Sequence, residues 1–191
     1  MNKLFTISTL LASFIFMGCS KTTAFDFFST DVYYEKAISN MQKVSLMSNM
    51  ETKAILHAVY LNNVDQDLYN DGEYFFVAVH IIEDPVEKSK KGLNNPQYSL
   101  KIQKKKLAQE KDFFEPDKAS VSEEKQGFDY VQAIQITELD ENNQLRLSMP
   151  IKNPWNSYYI VKYASLSDSK LVLLFESDLY GQAPLTFLKA E

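Results

Sequence analysis

The chain of 191 residues carries 25 acidic and 20 basic side chains, a formal charge of −5, with two histidines and a single cysteine. That length suits one domain with a substantial core, and the mild acidity gives no whole-chain attraction to nucleic acid or to an anionic membrane. Thirteen Phe, eleven Tyr and only five Gly exclude general disorder and favour strands, and a lone cysteine excludes an internal disulfide framework.

The first segment reads as a secretion signal. Lys3 supplies the positive start, and Leu4 to Met17 form an apolar run too short to span a bilayer as a settled helix, with small Gly18 at the cleavage position. The run Ile15-Phe16-Met17-Gly18-Cys19 resembles a bacterial lipobox, with Phe16 standing where Leu is commoner. The resemblance covers the first 20 residues. It implies that residues 1–18 are removed as a signal peptide and that Cys19 begins the mature chain, carrying a diacylglycerol on its thiol and an acyl group, such as palmitate, on its amine. An ordinary cleaved signal or an uncleaved anchor would fit the same apolar run. The absence of any other cysteine favours the lipoprotein reading, because an exported thiol with no disulfide partner is a liability. Two or three acyl chains at about 0.8 kcal/mol per buried methylene make a firm membrane anchor. The address implied is the bacterial cell envelope. Ser20, where inner-membrane lipoproteins often carry Asp, favours the outer membrane, facing the periplasm.

Residues 19–29 form the lipidated tether, which holds the domain within roughly 35 Å of the lipid. Its Phe25, Phe27 and Phe28 are expected to pack back on the domain rather than rest at the interface. Domain residues 30–191 open with capping residues Ser29, Thr30 and Asp31. Tyr34, Ala37, Ile38, Met41 and Val44 then stand at helical spacing, which predicts one amphipathic helix over 31–49. From residue 52 the period changes. Lys53 to Leu61 and Glu73 to Ile82 read as strands apolar on both faces, and Tyr98, Leu100 and Ile102 alternate as in a half-buried strand. Tyr130, Ile134 and Ile136, then Leu145, Leu147 and Met149, show the same alternation. Runs 158–164, 171–176 and 185–188, joined by polar turns, predict an antiparallel meander.

Eight strands and almost no helix after residue 50 predict a mainly β protein: an antiparallel two-sheet sandwich, immunoglobulin-like, although the Cys–Trp–Cys signature is absent. Another sandwich topology or a barrel would use the same strands. Residues 104–127 have no regular pattern. They straddle a change of charge, since residues 88–111 hold eight Lys against Glu110 alone, and residues 112–141 hold nine acids against two Lys. Lys88, Lys90, Lys91, Lys101, Lys104, Lys105 and Lys106 are thereby a candidate basic contact patch for lipid phosphates or an acidic protein; solvated loops that blunt sheet edges are the plainer reading.

Chemistry-bearing motifs are sparse. There is no Gly-x-Ser-x-Gly elbow and no glycine-rich phosphate loop, and an acylated Cys19 cannot act as a nucleophile. His57 and His80 would face each other in a hairpin whose paired residue numbers sum to 137, a candidate metal pair, against the plainer reading of two hydrogen-bonded sheet histidines. Asp65, Asp67 and Asp71 crowd one loop with oxygen ligands, but the EF-hand spacing fails, with Phe76 where a bidentate Glu belongs, and Asp71-Gly72 reads as a turn. Pro154-Trp155, beside Tyr158-Tyr159, is expected to plug one end of the core, with an exposed binding face as the alternative. The sequence therefore implies no cofactor and no catalytic residue. It points to a non-catalytic binding or structural module held to the membrane by Cys19, with other envelope proteins as partners and no nucleic acid. A periplasmic hydrolase with an unrecognised carboxylate site and a small-ligand or lipid carrier are the alternatives.

Overall fold

The computed structural model describes residues 32–83, 87, 90–105 and 128–190. Cys19, the tether with its phenylalanines, Lys88, Lys106 and the irregular stretch 106–127 lie outside the described residues. Two antiparallel sheets dominate, one of five strands and one of four.

The leading helix is shorter than its spacing suggested. Helix α1 covers Val32–Ser39 and buries Ala37; the chain then extends as β1, Met41–Ser48. Met41, Val44 and Met47 fit helical spacing, but Val44 and Leu46 also alternate, and pairing with β2 (Glu51–Tyr60) decides for the strand. The two strands join through Asn49 and Met50, both left-handed at φ 52° and 64°. That is the backbone of a tight primed hairpin turn. Strands β3 (Glu73–Ile81), β7 (Ser157–Tyr163) and β6 (Gln135–Glu138) complete the first sheet in the order β1-β2-β3-β7-β6. The second sheet runs β5 (Phe128–Gln132), β4 (Tyr98–Lys105), β8 (Lys170–Ser177), β9 (Gly181–Leu188).

Three expectations change here. There are nine strands among the described residues rather than eight. The predicted C-terminal meander is divided, because β7 belongs to the first sheet while β8 and β9 form a hairpin in the second. Leu145 to Met149 is not a strand: Gln144–Ser148 form a short helix, α2, capped by the Asn143 side chain, whose Oδ1 accepts from the Leu145 and Arg146 amides at 3.0 and 3.3 Å. Three alternating apolar residues were too few to specify a strand against that cap.

Leu56, Phe75, Val77, Val161 and Tyr163 of the first sheet pack with Ile102, Leu173, Phe175 and Phe187 of the second, which makes the two sheets a sandwich. Each such side chain contributes about 1.5–3 kcal/mol of burial. A second core lies on the outer face of the first sheet, where Val59, Phe76 and Tyr158 are covered by Ala37 of α1 and by Leu139, Met149 and Ile151. Hence β2 and β3 are apolar on both faces. By contrast, Tyr130, Ile134 and Ile136 are not half-buried as their alternation suggested: β5 and β6 are outer strands and these side chains are exposed.

The strand directions define two ends. At one, Tyr69 in the 61–72 connection shares a hydrogen bond with Tyr33 near the start of α1, so the described chain begins there. The same end holds the last residues of β9, since Asn63 donates to the Leu188 carbonyl at 2.7 Å and to Asn40 Oδ1, just after α1, at 2.7 Å. The opposite end carries the β1–β2 turn, the end of β3, the start of β7 and the β8–β9 turn.

Candidate functional site

His57 and His80 do lie on neighbouring strands, but the register is two residues from the expected one: His57 pairs with Ala78, and His80 with Ile55. The imidazoles share a face as diagonal neighbours instead of facing directly. Lys43 stands opposite His57, and His80 Nδ1 meets the Trp155 carbonyl at 3.1 Å. His57 Nδ1 is buried without a hydrogen-bond partner, and burial first, then the Lys43 charge, lower its pKa below 6.5. A lysine beside an imidazole opposes a bound cation. Among the described residues no three His, Cys, Asp or Glu side chains converge.

The aspartates of the 65–72 loop are engaged with the protein. Asp65 Oδ1 accepts from the Leu68 amide at 3.1 Å, and Asp71 accepts from the Tyr74 hydroxyl at 2.5 Å and from Lys162 at 2.8 Å. These bonds hold the Asp71 carboxyl below the usual range. Asp67 contributes its carbonyl, which accepts from Asn70 at 3.0 Å.

Among the described residues, the candidate lysines are spread along β4 and the segment before it. Lys90 pairs with Glu87, and the Lys91 carbonyl accepts from the Tyr159 hydroxyl. Lys101 is ion-paired to Glu176 and lies 4.4 Å from the Tyr130 ring centre. Lys104 and Lys105 come at the other end of β4, about 20 Å from its start at the rise of a strand.

One local arrangement escaped the sequence reading, and a second was sensed there only at Trp155. At the end where the described chain begins, Glu73 is only 3 % exposed. Its Oε2 accepts from the Tyr60 hydroxyl at 2.5 Å; Oε1 accepts from the Leu166 amide at 2.8 Å and from Lys189 at 2.6 Å. Lys189 also donates to the Leu166 carbonyl at 2.5 Å. Asn62 and Asn63 tie the same region by bonds to Tyr69, Gly72, Tyr74 and Ala190. Burial, then Glu73, push the Tyr60 hydroxyl pKa far up, so it stays a donor. The group lines a cavity of about 250 Å³. Its single buried carboxylate is neutralised by Lys189 and bonded at both oxygens, which makes it a clasp joining β2, β3, the β7–β8 connection and the C-terminal strand. Glu73 and Lys189 are 116 residues apart, and nothing local links them.

At the opposite end stands a rim of exposed large apolar side chains: Met47, Met50, Ile82, Trp155 and Leu179. Met50 is 96 % and Trp155 77 % exposed. Trp155 therefore does not plug the core, as its neighbours Tyr158 and Tyr159 do. Ile82 continues the β2–β3 ladder through its amide bond to Lys53 O at 3.0 Å, and His80 holds the Trp155 backbone, so both come at the end of β3. Met50 occupies a left-handed position that primed turns normally give to glycine. An apolar residue held in strain and fully in water is a mark of an interaction surface. No helix among the described residues is long and apolar enough to cross a membrane. In comparisons with known proteins, no family model, no curated protein and no solved structure matches the chain.

Proposed function

We propose that this protein is a lipid-anchored module of the bacterial envelope that binds a protein partner through the apolar rim, without catalysing a reaction. The observation that carries the reading is the placement of Met50, Ile82, Trp155 and Leu179 at the end opposite the start of α1. The described chain begins at one end of the sandwich, and the rim stands at the other, where it can meet envelope proteins. The lipobox-like run supports the anchor, and Ser20 supports the outer membrane with a periplasm-facing domain. The saturated bonds of Glu73 support a structural rather than a hydrolytic role for the one polar cavity described above. The immunoglobulin-like class is proposed in the architectural sense only, because the order β1-β2-β3-β7-β6 departs from the ABED and CFG strand sets of antibody domains.

The test is site-specific photocrosslinking in cells, with the crosslinker at position 50 or 155 and, as control, at Thr186 on β9. The expected result is a discrete protein adduct from the two rim positions only, lost in Cys19→Ala as the chain leaves the membrane fraction. Equal adducts from position 186, or adducts unchanged in a Cys19→Ala chain that stays membrane-bound, would overturn the reading.

A further inference from the structure

Arg146 is the only arginine of the chain, beside nineteen lysines. Helix α2, fixed by its Asn143 cap, sets the guanidinium 4.2 Å from the centre of the Tyr158 ring. That ring is itself held, because the Tyr158 hydroxyl donates to the Asn153 carbonyl at 2.8 Å and accepts from the Asn153 amide at 2.7 Å. One guanidinium nitrogen reaches the Leu139 carbonyl at 3.5 Å, the long limit of a hydrogen bond, which leaves most of the five N–H donors unused. Lysines 53, 90, 101, 162 and 189 are each ion-paired to a carboxylate; among the described residues half-buried Arg146 has no such partner. The two stacked groups line a pocket of about 360 Å³ with Glu141, Lys152, Asn153 and Pro154, a set whose net charge is +1. A planar donor fork laid on an aromatic ring, partly buried and uncompensated, is preorganised to bond a carboxylate at both oxygens.

We infer that this pocket receives an acidic side chain, Asp or Glu, of the polypeptide that covers the apolar rim. The inference rests on the rim reading for its partner. Pocket and rim are continuous along the chain: Pro154 lines the one, and Trp155, the next residue, stands exposed in the other. Asn153 positions both, since its Oδ1 accepts from the Trp155 amide at 3.0 Å while its backbone holds the Tyr158 hydroxyl. Strand β7 starts at the rim end with Ser157, one residue before Tyr158. The segment that binds there carries a carboxylate next to apolar side chains, the first in the Arg146 fork and the others against Trp155 and half-exposed Leu147. A net charge of +1 matches one carboxylate better than a doubly charged phosphate, which Glu141 would repel. The rim then supplies area, and Arg146 fixes the register.

Arg146 and Trp155 are each the only residue of their kind, so the Arg146 Nε–Hε and Trp155 indole N–H resonances of the full isotope-labelled chain in detergent micelles are assigned directly. The probes are the blocked peptides acetyl-Leu-Glu-Leu-amide and acetyl-Leu-Gln-Leu-amide, and inorganic phosphate. The glutamyl peptide is expected to move both resonances saturably, and the glutaminyl peptide to leave Arg146 unmoved. Arg146→Lys keeps the charge but not the fork, so at an unchanged unfolding midpoint the glutamyl peptide needed for half the indole shift rises about fivefold. Should that variant unfold earlier than the native chain, the native titration decides alone. An Arg146 resonance that stays still, that moves equally with both peptides, or that responds to less phosphate than glutamyl peptide overturns the inference, as does a folded Arg146→Lys that binds as tightly as the native chain. An Arg146 resonance that moves while the indole does not, with no crosslinks from positions 50 and 155, defeats the rim reading instead and leaves the pocket as a carboxylate site of its own.

Discussion

The two ends of the sandwich are built on opposite terms. At the end where the described chain begins, polar groups are buried and matched: Glu73 satisfies Tyr60, Leu166 and Lys189, and Asn62 and Asn63 join four chain segments. At the other end apolar groups are exposed and the backbone is strained, with Met50 left-handed and Trp155 in water. A network that is fully satisfied fixes one arrangement, whereas an exposed apolar rim gains only when something covers it. Substitutions should therefore act with opposite sign at the two ends.

The largest effect belongs to the clasp. Glu73→Ala strands Lys189 and leaves the Tyr60 hydroxyl and Leu166 amide without an acceptor, and breaking such a buried pair costs about 3 kcal/mol or more. Denaturant unfolding would show it as a lowered midpoint with little change in slope. If Glu73→Ala unfolds at the native midpoint, the clasp contributes nothing and the contrast between the ends fails. Tyr60→Phe is milder, leaving one carboxylate oxygen unbonded at about 1–2 kcal/mol.

How far the sequence could carry this contrast differs from residue to residue. Glu73 to Ile81 and Leu171 to Phe175 were legible as strands because apolar runs of that length have few alternatives. The boundary at Asn40 was not, since Met41 to Met47 satisfies both periods and only β2 chooses between them. The alternation of Tyr130, Ile134 and Ile136 revealed extended chain, but not that β5 and β6 lie at the sheet margins. The clasp depends on a lysine one residue past β9 and 116 residues from Glu73, a separation no local pattern encodes. The rim could be sensed at Trp155, whose aromatic cluster left an exposed face as the alternative to a core plug, but not at Asn49-Met50, because strand β1 was itself hidden.

At the rim the sign reverses. Met50→Gly relieves a left-handed residue and shortens nothing in the packing, because that side chain is already in solvent. Left-handed geometry costs a non-glycine residue roughly 1 kcal/mol, so the variant should melt about 2–4 °C higher. The same variant should lose crosslinking from position 155, at the same end of the sandwich. Gain of stability with loss of the partner would mark Met50 as retained for binding. A variant that is less stable than the native chain would show instead that the turn is held by packing of Met50.

The smallest effect lies between the ends, at His57. Burial and the opposed Lys43 charge keep its folded pKa below 6.5, while the unfolded chain returns it to that value. Between the two values the unfolded state binds more protons, so stability rises with pH across that window. The contribution is fully present above pH 6.5 and is lost as pH falls through the folded pKa. Unfolding midpoints followed from above pH 6.5 to about 5 should decline, and His57→Gln should remove part of that decline. Lys43→Gln should flatten the slope by less, because burial is the larger cause and the substitution leaves it in place. A slope unchanged in His57→Gln would mean that the imidazole finds a proton-accepting partner when charged. It would also mean that its orphaned Nδ1 imposes no penalty on the sheet.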